Sequence, residues 1–313
     1  MKALVTGNLG FIGGAITDQL IKREIEVIGV DKNRNSREPR SRLEITKFVN
    51  TANKKDMEQF KRYEIDYIFH FGSPCSNMQF MKKPKSLTET VAGMVNVFEI
   101  AKEVGAKVVY PSSCTVYAGE LPQTENTVLP PPTTLYSVGK IACEHTAHYY
   151  RETYDVESTG ARIFVAYGPR EENKGNLASA VTQFLMSIER GQHPVIWGDG
   201  TQFRDAIYVD DVAELLVRIA QDPKSPNIIN VGTGQAVTFN DMVLMINRKL
   251  GKNVTPKYIS KPIWYRGNNK ADMALAKKLY GFNPRSLDKG LTDYIKYRSE
   301  KELTKSLVYS VSA

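Results

Sequence analysis

The run Tyr136-Ser-Val-Gly-Lys140 sets a phenol and an ammonium four residues apart, on one face of any helix that contains them. An ammonium beside a phenol favours the phenolate, lowering a pKa otherwise near ~10. Upstream stands Ser112-Ser113, and the Ser113 hydroxyl can hydrogen-bond the same substrate oxygen that the tyrosine serves. Three such groups move a proton on or off an alcohol while a nicotinamide takes the hydride. Alone, Tyr-x-x-x-Lys is an ordinary surface pair, so its meaning depends on its company.

That company is Thr6-Gly7-Asn8-Leu9-Gly10-Phe11-Ile12-Gly13. The spacing is not the Gly-x-Gly-x-x-Gly of the dinucleotide fingerprint, but the physics is shared. A tight turn follows a strand, the backbone can approach a pyrophosphate closely, and a helix N-terminus faces its charge. Gly7, Gly10, Phe11, Ile12 and Gly13 are therefore expected at the cofactor. Asp31 ends the next strand, where a carboxylate accepts hydrogen bonds from a ribose with free hydroxyls and repels a 2′-phosphate. NAD is the expected cofactor; Lys32 and Asn33, which precede Arg34, leave NADP possible.

The elements that must position these residues are legible as alternation. Lys2–Thr6, Glu26–Asp31, Tyr67–His70, Lys107–Tyr110 and Ser158–Phe164 read as strands. Gly10–Lys22, Thr88–Glu103 and Val138–Tyr154 read as helices between them. Alternation of this kind predicts an α/β, Rossmann-type doubly wound parallel sheet. Further helices are expected at 177–190, 210–219, 239–250 and 271–279, with a peripheral tail from Lys301. A dinucleotide-binding domain is expected over 1–165, with 206–230 returning to it. A smaller, mainly C-terminal α/β substrate domain takes 166–205 and 231–313.

Composition narrows the class. The net charge of +8 comes from scattered basic residues without interleaved aromatics, which reads as a solvated basic surface suited to an anionic substrate, not to nucleic acid. No run is apolar enough to span a membrane, and the strand-like N-terminus is unlike a signal peptide, so a cytoplasmic protein is expected. Cys75, Cys114 and Cys143 lack metal-ligand spacing, and the four histidines suggest no metal site. Cys75 and Cys114 are expected as small buried hydrophobes near the cofactor, and Tyr110 and Tyr117 as packing residues.

With these residues assembled, the chain resembles the extended short-chain dehydrogenase/reductases, and within them the NAD-dependent sugar epimerase/dehydratase family. His70-Phe-Gly-Ser73 is similar to a segment that passes beside the cofactor, which implies contacts from Phe71, Gly72 and Ser73. Pro111-Ser-Ser-Cys-Thr-Val-Tyr117 resembles the strand end carrying the catalytic hydroxyl, here Ser113. Gly198-Asp-Gly-Thr-Gln-Phe-Arg-Asp205 is similar to a nucleotide-diphosphate-binding segment, with Arg204 as its arginine. The resemblance implies Tyr136 as base, Lys140 as its support at the cofactor, and a nucleotide sugar oxidised to a ketone. It also implies a homodimer built from the helices 88–103 and 138–154 of each copy.

The fate of the keto sugar distinguishes the subclasses. Family dehydratases place an acid/base pair after the catalytic hydroxyl, where this chain has Cys114-Thr115, and uronate decarboxylases use a Glu at the position of Thr115. Neither residue protonates a leaving group well at neutral pH. Epimerisation is therefore favoured, with Thr115 at the substrate, and the resemblance implies an enzyme like the UDP-hexose 4-epimerases. Val165 and Thr90 stand where the family commonly has asparagines, and Asn50 or Asn53 where an aspartate contacts adenine. Gly168–Gly175 also resembles a segment of heptose 6-epimerases whose lysine, matching Lys174, is a second acid/base; the alternative for Lys174 is a contact with phosphate or solvent. Arg266 is either a phosphate clamp or a surface arginine. A dehydrogenase of a non-nucleotide substrate and a non-catalytic dinucleotide sensor complete the alternatives.

Overall fold

The computed structural model describes residues 1–33, 40–261, 265 and 267–311, with side chains described as far as Lys301. Arg266 and Arg34 lie outside the described residues. The first elements are β1 (Lys2–Thr6), α1 (Phe11–Lys22), β2 (Glu26–Asp31), α2 (Arg40–Glu44), β3 (Thr46–Phe48) and α3 (Lys54–Glu58). Next come β4 (Tyr67–His70), α4 (Asn77–Lys82), α5 (Ser86–Val104), β5 (Lys107–Ser113), α6 (Leu135–Tyr154) and β6 (Ser158–Ile163). After these come β7 (Val165–Tyr167), α7 (Ala180–Glu189), β8 (Val195–Trp197), β9 (Phe203–Tyr208), α8 (Val209–Gln221) and β10 (Ile228–Val231). The last are β11 (Ala236–Thr238), α9 (Phe239–Leu250), β12 (Lys257–Ile259), α10 (Ala274–Tyr280) and α11 (Leu287–Val311).

Seven strands form one sheet in the order β10-β6-β5-β4-β1-β2-β3, every pairing parallel. This is the doubly wound fold that the alternation predicts. Successive side chains of β1 show why both faces need covering. Ala3 and Val5 join a core with Ile16 and Leu20 of α1 and Leu215 and Leu216 of α8. Leu4 joins the opposite core, with Val97 and Phe98 of α5 and Ala147 and Tyr150 of α6. Strand order reverses between β1 and β4, so a crevice opens outside their carboxyl ends, where an open α/β sheet binds ligands. A second body of structure, β11-β9-β7 and β12-β8, packs with α7, α9 and α11 around Phe184, Met242, Ile246 and Tyr294.

Several boundaries differ from expectation for identifiable reasons. Helix α6 begins at Leu135 because Thr134 and Ser137 form a reciprocal capping box, which puts Tyr136 in its first turn. Strand β5 runs on to Ser113, paired with Ile163, so it carries the hydroxyl itself. The helix expected from Leu177 starts at Ala180, because Gly175 breaks the preceding 3₁₀ turn (φ 55°, ψ −127°) and Ser179 caps the new helix. The tail from Lys301 continues helix α11, and Lys301 pairs with Glu172 at 2.7 Å. Among the described residues no helix is long and apolar enough to cross a membrane.

Candidate active site

At the switch point lies a cleft of about 1050 Å³. Small-molecule sites span roughly 300–1,000 Å³, so this one has room for more than a single small ligand. Its walls bring together every expected cofactor and reaction residue among those described: Gly7, Gly10 to Gly13, Asp31 to Asn33, Phe71 to Ser73, Ser113, Tyr136 and Lys140. Thr115, Val165, Lys174 and Arg204 line it as well.

The glycine turn is built for close approach. A Cβ on Gly7, whose φ is +71°, would sit 2.6 Å from the Phe71 carbonyl oxygen, and one on Gly13 would sit 2.1 Å from the Gly7 oxygen. Helix α1 therefore starts directly on the turn, with Gly10 as a cap that offers no side chain and no acidic residue in the first turn. Its positive end is open to an anion, which fits a pyrophosphate. Asp31 accepts from Leu9 N at 3.3 Å and Asn33 N at 2.9 Å, which fixes its carboxylate beside the turn at the cleft wall. These residues fit a dinucleotide. The adenine expectation fares differently. Val49 and Thr51 line the cleft, whereas Asn50 accepts from Ala52 N and Asn53 caps α3.

Behind the turn, Thr6 Oγ1 accepts from Gly72 N at 2.9 Å and so has its proton to donate to His70 Nδ1, also at 2.9 Å. Burial, with the Lys140 charge adding to it, pushes the His70 imidazole down to about 3. The sign comes from the unfolded value of 6.5: between the two pH values the unfolded chain binds the extra proton. His70 thus contributes stability that is whole above pH 6.5 and is lost as pH falls toward about 3. A His70→Asn variant should flatten that acid-side fall in urea unfolding midpoints; an unchanged slope would contradict the assignment.

The end of the cleft that holds Ser113, Tyr136 and Lys140 rests on β5 and α6. Ser113 Oγ accepts from Thr115 N at 3.2 Å. Tyr136 is held edge-on by Phe80, ring centroids 5.4 Å apart. Lys140 Nζ donates to the Pro111 carbonyl at 2.8 Å and lies 5.5 Å from the centre of the Tyr136 ring. The sequence leads one to expect a phenol depressed by the ammonium. Instead burial raises the Tyr136 pKa, against a lowering hydrogen bond with Ser113, and burial lowers Lys140. Desolvation is the largest effect on both groups, and Lys140 gives a hydrogen bond to the strand carbonyl.

One residue on the same helix face escapes a reading of the sequence. Glu144, one turn beyond Lys140, pairs with Arg162 through Nε at 3.0 Å and Nη2 at 2.8 Å, and accepts from Ser112 Oγ. Arg162 Nη1 donates to Tyr117 OH at 3.0 Å, and that phenol donates to Asn230 at 2.8 Å. Tyr117 therefore packs and bonds at once. Spacing alone could point to Glu144, since it extends the Tyr136–Lys140 stripe.

Toward the outer cleft, Arg204 donates to the carbonyls of Phe203 and Gly267 and to Tyr265 OH, and its guanidinium lies over the rings of Phe239 and Tyr265. All these partners are neutral. Thr115 Oγ1 and Asn77 Oδ1 are buried cleft atoms without a hydrogen-bond partner, and such atoms call for a ligand or water. Asn77 has no signal in the sequence. Cys114 is buried, its thiol pushed up to about 12, as a small hydrophobe should be. Cys75 is not buried: it is exposed at the cleft wall, because the segment after β4 runs over the opening. Thr90 is buried on α5 and donates to Ser86 O. Among the described residues no cluster of His, Cys, Asp and Glu could hold a metal.

Known proteins match the chain over nearly its whole length. The NAD dependent epimerase/dehydratase family matches residues 3–232. A UDP-glucuronate 4-epimerase of Thermodesulfobacterium geofontis is 28% identical over 97% of this chain and 98% of its own length. UDP-glucuronic acid decarboxylase 1 of Xenopus tropicalis is 30% identical over 96% of this chain and 73% of its own. Among solved structures, the UDP-glucose 4-epimerase of Thermotoga maritima with UDP-glucose superposes with a TM-score of 0.88 at 26% identity, covering 96% of this chain and 99% of that one. The chain belongs to the NAD-dependent epimerase/dehydratase family, and it is an NAD-dependent enzyme.

Proposed function

We propose that the chain is a nucleotide-sugar epimerase of the UDP-hexose 4-epimerase kind. One observation carries the choice of reaction: among the described residues lining the cleft, the only carboxylate is Asp31, at the ribose end. Dehydration and uronate decarboxylation both call for an acid beside the keto sugar, and the residues after Ser113 are a buried thiol and a threonine. In the proposed reaction Ser113 orients the sugar hydroxyl, Tyr136 takes its proton, and Lys140 braces the helix end against β5. Hydride acceptance and return is the chemistry that bound NAD supplies. Thr115 Oγ1 would give the keto sugar a hydrogen bond as it turns over, and Arg204 would meet the diphosphate. Asp31 favours NADH over NADPH by about tenfold or more in a binding titration, and the reverse order would remove it from the ribose.

Domain roles match the same reading, with the cofactor on 1–165 and 206–230 and the substrate on 166–205 and 231–313. The homodimer proposed here uses α5 and α6, which expose Val95, Tyr149 and Tyr154; a monomer in sedimentation equilibrium would refute it. For the reaction, the test is incubation with UDP-, GDP- and ADP-linked hexoses and NMR of the products. Interconversion of UDP-glucose and UDP-galactose is expected. Accumulation of a deoxy-keto sugar or of a pentose nucleotide would overturn the proposal.

A further inference from the structure

Lys174 lines the cleft and has two neighbours there, Glu171 and the Phe11 ring. It sits in the 3₁₀ turn Glu171–Leu177, on the substrate side of the cleft, yet its Nζ lies 4.7 Å from the centre of the Phe11 ring. Phe11 is the first residue of α1 and follows Gly10 of the glycine turn, so the ammonium packs on the side chain that opens the uncapped helix. We infer that Lys174 is a cofactor residue, which reaches across the cleft to the dinucleotide pyrophosphate and closes the glycine cradle from the opposite side. The inference rests on the dinucleotide reading of the turn and is independent of which sugar the enzyme takes.

Glu171 makes this arrangement workable. Its side chain is 1% exposed and accepts from Ser179 N and Ser179 Oγ, both at 2.8 Å, and from Thr182 Oγ1. Lys174 is a looser fourth partner at 3.6 Å, with 27% of its own side chain exposed. With three donors already on the carboxylate, the ammonium can swing to a phosphate without leaving a buried charge unsatisfied. The pair thus holds the lysine near the cradle while leaving its donors free to turn. A second proton-transfer group would instead act on the substrate from the face opposite Tyr136, a role that a loss of turnover with intact affinities would reveal.

The test is calorimetric titration of the full chain and its Lys174→Met variant with NAD, ADP-ribose and UDP. Methionine keeps the stem over Phe11 and removes only the charge. Expected is a loss of about tenfold in affinity for both NAD and ADP-ribose, which share the pyrophosphate, with UDP unaffected and a weaker salt dependence of NAD binding. Lys174→Arg should restore the affinity, and its thermal unfolding serves as the control for folding. Unchanged ADP-ribose binding overturns the inference. So does a loss confined to UDP, which would place the lysine on the substrate, or a loss of turnover with all three affinities intact, which would make it a reacting group. The NAD and ADP-ribose measurements decide the matter even if the chain binds no UDP.

Discussion

Tyr136→Phe should lower turnover by about 10²–10⁴-fold while the affinity for NAD stays within a factor of about two, because a general base contributes on that scale and little to binding. The substitution is clean. The ring keeps its edge-on contact with Phe80 and its place in the first turn of α6, so packing survives the loss of one oxygen. Its partner loss is confined to Ser113, whose hydroxyl still accepts from Thr115 N. Burial holds the wild-type phenol above its ordinary value, so it must first reach the phenolate before it can take the sugar's proton; phenylalanine has no such group. Single-turnover reduction of NAD by a nucleotide sugar reads the step directly. A loss smaller than tenfold would mean that another group takes the proton, and Tyr136 would become a wall of the cleft.

Most of the parallel sheet is legible in the sequence because its strands are buried on both faces and read as short unbroken apolar runs. Lys2–Thr6 and Glu26–Asp31 agree to the residue. The three-residue strands β3, β7, β8, β11 and β12 are too short to show alternation, and the stripe that helix α11 buries, Leu287, Leu291 and Tyr294, is set among many charged residues. At the site, the glycine turn, Asp31, Ser113, Tyr136 and Lys140 can be gathered from spacing, since each belongs to a local strand–turn–helix signal. Asn77 cannot, because it reaches the cleft only through the path of the segment after β4. The direction of the Tyr136 shift is hidden for a related reason. A helix-face pair announces attraction, but burial, which decides the balance, and the Pro111 carbonyl that takes the Lys140 hydrogen bond are tertiary facts.

That same carbonyl links the chemistry to the packing. Lys140 is held by Pro111, Pro111 adjoins Ser112, and Ser112 donates to Glu144, so the end of β5 is fastened to α6 by the two residues just before Ser113. Ser113 and Tyr136 come from different elements, and these two ties set the distance between them. Preorganisation of this kind places the site on rigid elements and supports it with buried polar contacts.

Glu144→Ala is the substitution expected to test that support most severely. Glu144 and Arg162 are 11% and 5% exposed, so removing the carboxylate leaves a guanidinium out of water with only Tyr117 OH and the Glu125 carbonyl as partners. Breaking a buried pair from one side costs about 3–5 kcal/mol, and the urea midpoint should fall accordingly. A double variant, Glu144→Leu with Arg162→Met, should recover much of that loss, because an apolar pair of similar volume leaves no charge to desolvate. Activity separates the two roles. The double variant restores stability but not the Ser112 tie, so kcat should remain low while the affinity for NAD returns. If the double variant is as active as the wild type, Glu144 serves the fold alone. If Glu144→Ala loses less than about 1 kcal/mol, the range of an exposed pair, water reaches Arg162 and the network does not hold β5.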